Sequence, residues 1–174
     1  MPTVLCDSGP LIALAKINRL LLLLDLWGSV HVTEQVYREA VTFGHSLGAP
    51  DALTIRLFWQ KHNLPIIGVS DDVLTAYKPA ITLDPGERTS FAHAMTLKEV
   101  LVLVDDEDAR TEARRLGLPV RGTIGVLVEA YRHALLTLPE IELLFNEISE
   151  RADIWISSNL CARVLKSLQS GQVI

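Results

Sequence analysis

Short apolar runs alternate along this chain with longer stretches whose apolar positions recur at helical spacing. Thr3-Val4-Leu5-Cys6 predicts a strand, and Pro10 to about Leu24 predicts a helix behind it. Val30-His31-Val32 predicts a second strand, followed by a helix from Thr33 to about Phe43, a loop over Gly44 to Pro50 and a helix from Asp51 to His62. Ile66 to Val69 reads as a strand and Asp71 to Tyr77 as a short helix. Val100-Leu101-Val102-Leu103-Val104 is apolar at every position, the pattern of a central parallel strand covered on both faces. Helices are expected from Glu107 to Leu116 and from Ile124 to Leu135, with a short strand at Pro119-Val120-Arg121 between them. From Pro139 the pattern gives an amphipathic helix to Arg151, a short Ile154-Trp155-Ile156 run and a helix to Leu168. The alternation predicts an α/β fold with a mostly parallel sheet.

A few acidic residues interrupt this pattern. Asp7 directly follows the first strand and Asp105-Asp106 directly follow the most apolar one. Both therefore belong at the carboxyl edge of the sheet, where open α/β sheets keep their ligand sites. On the helix from Thr33, with Val36 at zero, Val32, Ala40 and Phe43 fall within about 40° and Glu39 about 60° away, at the edge of the apolar stripe, while Glu34 and Arg38 point outward. Asp84-Pro85-Gly86-Glu87 reads as a capping box with Pro85 in the first turn, and Glu87 heads the side that carries Phe91, Ala94 and Met95. If the helix after the fifth strand-like run begins near Asp106, then Ala109, Arg110 and Ala113 lie within about 60° of Asp106 and Asp108 about 160° away. That ranks Asp106 ahead of Asp105 as a pocket residue, Asp105 having a competing role as cap.

Taken singly, each acid has a plainer use as a helix cap. Taken together, carboxylates from distant segments suit a hard divalent cation such as Mg²⁺ or Mn²⁺, because a buried charge must be paired or hold a metal. Metal-assisted phosphodiester chemistry is therefore the leading expectation, with ion pairs to Arg38, Arg88 or Arg110 as the competing structural role. The five histidines show no HExxH or HxH spacing, and no Walker A, GxGxxG or GxSxG loop is present in the sequence.

These segments also resemble a family. Val4-Leu5-Cys6-Asp7-Ser8-Gly9-Pro10-Leu11-Ile12, then Val32 to Glu39, then Leu83-Asp84-Pro85-Gly86-Glu87, then Leu103-Val104-Asp105-Asp106-Glu107-Asp108-Ala109-Arg110 are similar, in order and spacing, to the PIN domain superfamily, closest to its prokaryotic branch related to VapC-type toxins. Gly117 to Gly125 is similar to the segment that closes the domain in that branch. The resemblance implies a three-layer α/β/α PIN-like nuclease domain over residues 1–136, with 137–174 a helical extension packed on it. It further implies a metal-dependent endoribonuclease, the toxin of a toxin–antitoxin pair, with Asp7, Glu39, Glu87 and Asp106 catalytic and Asp105 joining them around Mg²⁺ or Mn²⁺. Glu87 stands where many members carry aspartate. Ser8 and Thr123 are candidates for the pocket rim, Thr123 competing as N-cap of the helix at Ile124. RNA as substrate, a homodimer and a small antitoxin as partners are implied by the same resemblance. The alternative is a non-catalytic PIN-like interaction module.

Composition adjusts this picture. The net charge of −5 argues against nucleic-acid binding through overall basicity, although Arg110, Arg114, Arg115 and Arg121 form a local basic stretch. Cys6 and Cys161 are far apart in sequence and in no metal-binding spacing, so two reduced, buried thiols are expected. The Leu20 to Leu24 run is interrupted by Lys16, Arg19 and Asp25 well short of the ~20 residues of a membrane span, and the early sequence lacks a basic n-region, so a cytoplasmic chain is expected. Ile17, Leu20, Leu21 and Leu24 are either core or a face for self-association.

Overall fold

The computed structural model describes residues 2–171, and its frame is a parallel sheet. The strands are β1 (Thr3–Cys6), β2 (Val32–Thr33), β3 (Ile66–Ile67), β4 (Val100–Leu103) and β5 (Val120–Arg121). Between them run α1 (Ser8–Lys16), α2 (Leu22–Trp27), α3 (Glu34–Tyr37), a π-helical turn (Arg38–Phe43), α4 (Gly44–Ser46), α5 (Pro50–His62), α6 (Asp71–Ala76), α7 (Pro85–Ala94) and α8 (Glu107–Arg115). After β5 come α9 (Thr123–Arg132), α10 (Leu138–Glu150) and α11 (Ser158–Gln169).

β1 pairs with β4, β4 with β5 and β2 with β3, all parallel. A bridge between Leu5 and His31 joins the two sets, giving the order β3-β2-β1-β4-β5. Along β1 and β4 the side chains alternate between two separate cores. Val4, Cys6, Leu101 and Leu103 pack with residues of α1, α2, α5, α9, α10 and α11, whereas Leu5, Val100, Val102 and Val104 pack with Phe91, Ala109 and Ala113 on the other face. The continuous apolar run of β4 is explained by this burial on both sides, and the fold is α/β with a mostly parallel central sheet. Ile141, Leu144, Phe145, Ile148, Cys161 and Val164 of α10 and α11 belong to the first core, and Arg151 reaches back to donate to the Lys16 carbonyl at 3.1 Å. Cys6 and Cys161 are free and buried. Among the described residues no helix is long and apolar enough to cross a membrane.

Three segments depart from the sequence pattern. The helix expected over Pro10 to Leu24 breaks after Lys16, where Asn18 takes a left-handed φ of 54°, and restarts at Leu22. Asparagine tolerates that conformation. The break turns Ile17 and Leu20 into the core and leaves Leu21 exposed, so two of the four residues expected as either core or association face are core. The helix expected to Phe43 widens into the π-helical turn, which shifts the register by about one residue and carries Phe43 out of the apolar stripe, where it is exposed. The expected loop over Gly44 to Pro50 begins instead with α4. A Cβ on Gly44 would lie 2.9 Å from that of Ala52, a close approach that requires glycine. In the short Ile154 to Ile156 run, Ile154 is buried and Trp155 is exposed.

One buried carboxylate on the second face is fully paired. Glu112 receives Arg115 Nε at 2.8 Å and Nη2 at 2.7 Å, the Tyr77 hydroxyl at 3.0 Å and the Ala80 amide at 3.2 Å. Its hydrogen bonds to Arg115 hold its carboxyl down at about 2, against an ordinary 4.5. A group depressed in this way stabilises the fold above its ordinary value and loses that contribution as pH falls toward the depressed one. Glu112→Gln is expected to cost about 2–3 kcal/mol at pH 7 in equilibrium denaturation, with the difference from the parent protein shrinking as the pH falls below 4.5.

Candidate functional site

The strand order runs β3-β2-β1 in one direction and β4-β5 in the other, so the switch point lies between β1 and β4. In open parallel sheets the crevice outside the carboxyl ends of the strands at that point is the ligand site. Asp7 leaves β1 there, its backbone N–H donating to the Leu103 carbonyl at 2.9 Å. Asp105 leaves β4 two residues after its end.

Asp7 stands at the N-cap position of α1, yet its side chain makes no capping bond. It is 5% exposed, and Oδ1 is buried without a hydrogen-bond partner. Burial pushes its carboxyl well above the usual range; Asp84, Glu87 and Glu39 push it further, and the Ser8 backbone N–H offsets part of this. Glu39, carried on the π-helical turn, accepts from Gln35 Nε2 at 2.9 Å. It too is raised by burial, opposed by Gln35, the Gly86 amide and the Ser8 hydroxyl. Glu87 is buried, and its Oε2 accepts from the Asp84 amide at 3.0 Å while Asp84 Oδ1 accepts from the Glu87 amide at 2.8 Å. This is the capping box expected from the sequence. Burial, then Asp84, Asp106 and Glu39, lift the Glu87 carboxyl to about 7 against the pull of the Asp84 amide. Phe91 and Ala94 of the side headed by Glu87 are buried, whereas Met95, just past the last turn, is exposed.

Gly86 brings α7 onto this group. A Cβ there would collide with the Glu39 carboxylate and lie 3.3 Å from Asp7 Oδ1. The sequence pattern does not announce this close approach. Its only signal is a glycine inside the first turn of a helix, a choice that costs about 1 kcal/mol against alanine unless space demands it.

The adjacent aspartates exchange the roles expected of them. Asp106 caps α8, accepting from the Ala109 amide at 2.8 Å, and is exposed. Asp105 turns inward and accepts from the Thr123 amide at 2.7 Å and its hydroxyl at 2.6 Å. Burial raises its carboxyl, while Thr123 and Arg110 oppose the rise. Thr123 is therefore the first residue of α9, held by Asp105, and Gly122 takes the N-cap position. A Cβ on Gly122 would come within 2.6 Å of Asp105 Oδ1.

These bonds overturn the metal-dependent reading. Among the described residues no group of three or more His, Cys, Asp or Glu side chains is arranged to hold a metal ion. Of the carboxylates named for Mg²⁺ or Mn²⁺, Glu87 and Asp106 cap helices, Asp105 holds Thr123 and Glu39 holds Gln35, while Asp7 is buried with Oδ1 unpartnered. The donor set does not fit the ion, and with it go the metal-dependent ribonuclease, its hydrolase class and its metal cofactor.

A family model described as PIN domain matches residues 3–170. The chain belongs to the PIN-domain family. The match runs through α10 and nearly to the end of the described residues, farther than the segments that carried the resemblance. No curated protein matches the chain. This PIN domain has an acidic edge, with Asp7, Glu39 and Glu87 brought together and Asp105 turned toward α9.

The raised carboxyls predict a pH dependence. Between 4.5 and about 7 the folded protein retains the Glu87 proton that the unfolded chain gives up, so Glu87 lowers stability as pH rises through that window. Glutamine at the same position keeps the capping-box geometry and removes the charge. Glu87→Gln is expected to leave stability at pH 5 nearly unchanged and to raise it at pH 8 by about 1–3 kcal/mol in urea denaturation, and Asp7→Asn to act in the same direction.

Proposed function

We propose that this PIN domain is a non-catalytic interaction module whose acidic pocket receives a cationic side chain from a partner protein. The single observation behind the reading is the Asp7 carboxylate: buried, with Oδ1 unpartnered, and set among Asp84, Glu87 and Glu39. Such a group is costly until a charge-complementary donor arrives. An arginine is the fitting occupant, because its planar fork can donate to two carboxylates at once and it tolerates burial better than lysine does. RNA phosphates would be repelled by the same carboxylates, which favours a protein partner at this pocket over RNA.

Asp7, Glu39 and Glu87 would receive the guanidinium, with Ser8 at the rim, and the motifs that resemble the VapC-related branch suit a small antitoxin-like partner with a basic segment. We place the module in the cytoplasm, where Cys6 and Cys161 stay reduced, and take residues 137–174 as an extension packed on the domain. Self-association into a homodimer would use the apolar surface left at Leu21 and around Phe43 and Leu47.

Binding of a cation should draw protons off the raised carboxyls, so affinity is expected to rise with pH between about 6 and 8. Calorimetric titration of a peptide carrying one arginine between apolar residues, run in buffers of different ionisation enthalpy, reads both affinity and proton release. Asp7→Asn is expected to weaken binding at least about tenfold, as losing one member of a buried charge pair does. RNA incubated with the protein and Mg²⁺ or Mn²⁺ is expected to remain uncut. Equal binding of the peptide with alanine in place of arginine would refute the reading, as would metal-dependent cleavage abolished by Asp7→Asn.

A further inference from the structure

A second feature lies beside the acidic pocket and has the opposite charge. A cavity of about 1020 Å³ opens between α8, β5, α9 and α11. Arg110, Arg114, Arg121, Arg132 and Arg163 line it, against the carboxylates of Asp105, Asp106 and Glu107. In a chain of net charge −5 this is a local reversal of sign. Asp7, Glu39 and Glu87 are not in its wall, so the cavity's chemistry is independent of any occupant of the acidic pocket.

Three of these arginines meet carboxylates, and two of them make a further bond, Arg110 to the Val104 carbonyl at 3.4 Å and Arg114 to the Thr111 hydroxyl at 3.5 Å. Arg114 and Arg110 meet Glu107 at 2.9 and 3.7 Å, and Arg121 meets Glu129 at 3.4 Å. Glu107 is itself exposed. The pairs to Glu107 contribute little and yield readily to a ligand that offers several negative oxygens, whereas Glu129 is half-buried. Gly122 and Gly125, at the amino end of α9, lie in the same wall, where the Asp105 carboxylate already takes the Thr123 amide.

The second component of the wall is Trp155, 95% exposed in the linker between α10 and α11. Trp27 is only partly exposed and Trp59 is buried, whereas this ring presents its faces to water. An inorganic phosphate or an acidic peptide would use the arginines and leave the ring idle. A nucleotide would use both, since a base stacks on an aromatic face and its phosphates pair with guanidinium groups. The cavity is also of the size that small ligands occupy.

We propose that this groove binds a nucleotide, its phosphates on the arginines and its base against Trp155. A free nucleoside polyphosphate and the end of a single-stranded nucleic acid share that chemistry, and titration separates them. ATP, GTP, inorganic triphosphate and a short single-stranded oligoribonucleotide are titrated into the full chain by calorimetry, with tryptophan fluorescence followed in parallel. Trp155→Ala and Arg163→Glu are titrated alongside; both change exposed side chains and leave the cores intact.

Saturable nucleotide binding is expected, weakened about tenfold by Trp155→Ala and at least severalfold by Arg163→Glu. Triphosphate should bind more weakly and be indifferent to Trp155→Ala. Mononucleotide binding tighter than that of the oligoribonucleotide assigns the groove to a free nucleotide, and the reverse order overturns that assignment. The proposal is overturned if none of the nucleotide ligands saturates, if both variants bind as the parent does, or if triphosphate binds as tightly as the nucleotides.

Discussion

The pairing of β1 with β4 fixes where the chain ends its two most buried strands. Thr3 to Cys6 lie opposite Val100 to Leu103 in parallel register, so both strands stop at the same level and both release an aspartate just beyond it. Because each face of the pair is covered by its own core, neither strand can slip by one residue without exchanging the contents of the two cores. The location of Asp7 is thus dictated by apolar packing, and its cost is carried by the fold.

Two electrostatic fields of opposite sign meet at this edge. Acids from the π-helical turn and α7 converge on Asp7, while arginines from α8, β5, α9 and α11 gather on the far side of Asp105. The bonds from Thr123 to Asp105 form the partition between them. They consume the one inward-facing acid that borders the arginine groove and fix the start of α9 to the end of β4.

Much of this was legible in the sequence, and the reasons differ by element. The unbroken apolar run at Val100 to Val104 announces a doubly covered parallel strand because only that environment tolerates it, and Asp84-Pro85-Gly86-Glu87 announces a helix start because all its signals are local. The capping duty of Asp106 is not distinguishable in the pattern from that of its neighbour, because one residue decides which side chain meets the first turn. The bond from Asp105 to Thr123 crosses 18 residues and leaves no periodic trace. The break at Asn18 and the widened turn at Arg38 are settled by tertiary packing, which overrides helical spacing in an otherwise suitable segment. The metal-binding expectation failed for a related reason: side-chain type and strand position were readable, but the local donors that engage Glu39, Glu87, Asp105 and Asp106 were not.

The π-helical turn at Arg38–Phe43 has a consequence for how the acidic edge is spaced. A π-helical turn holds about one residue more than an α-helical turn between its flanking contacts. Here the surplus residue is absorbed between Val36, locked in the core, and Gly44, pressed against Ala52, so that Glu39 is carried on the loosened coil. Without that residue the segment would run as an unbroken α-helix and present a different side chain to Asp7. The chemistry of the acidic edge therefore depends on the length of this one turn, with every strand left in place.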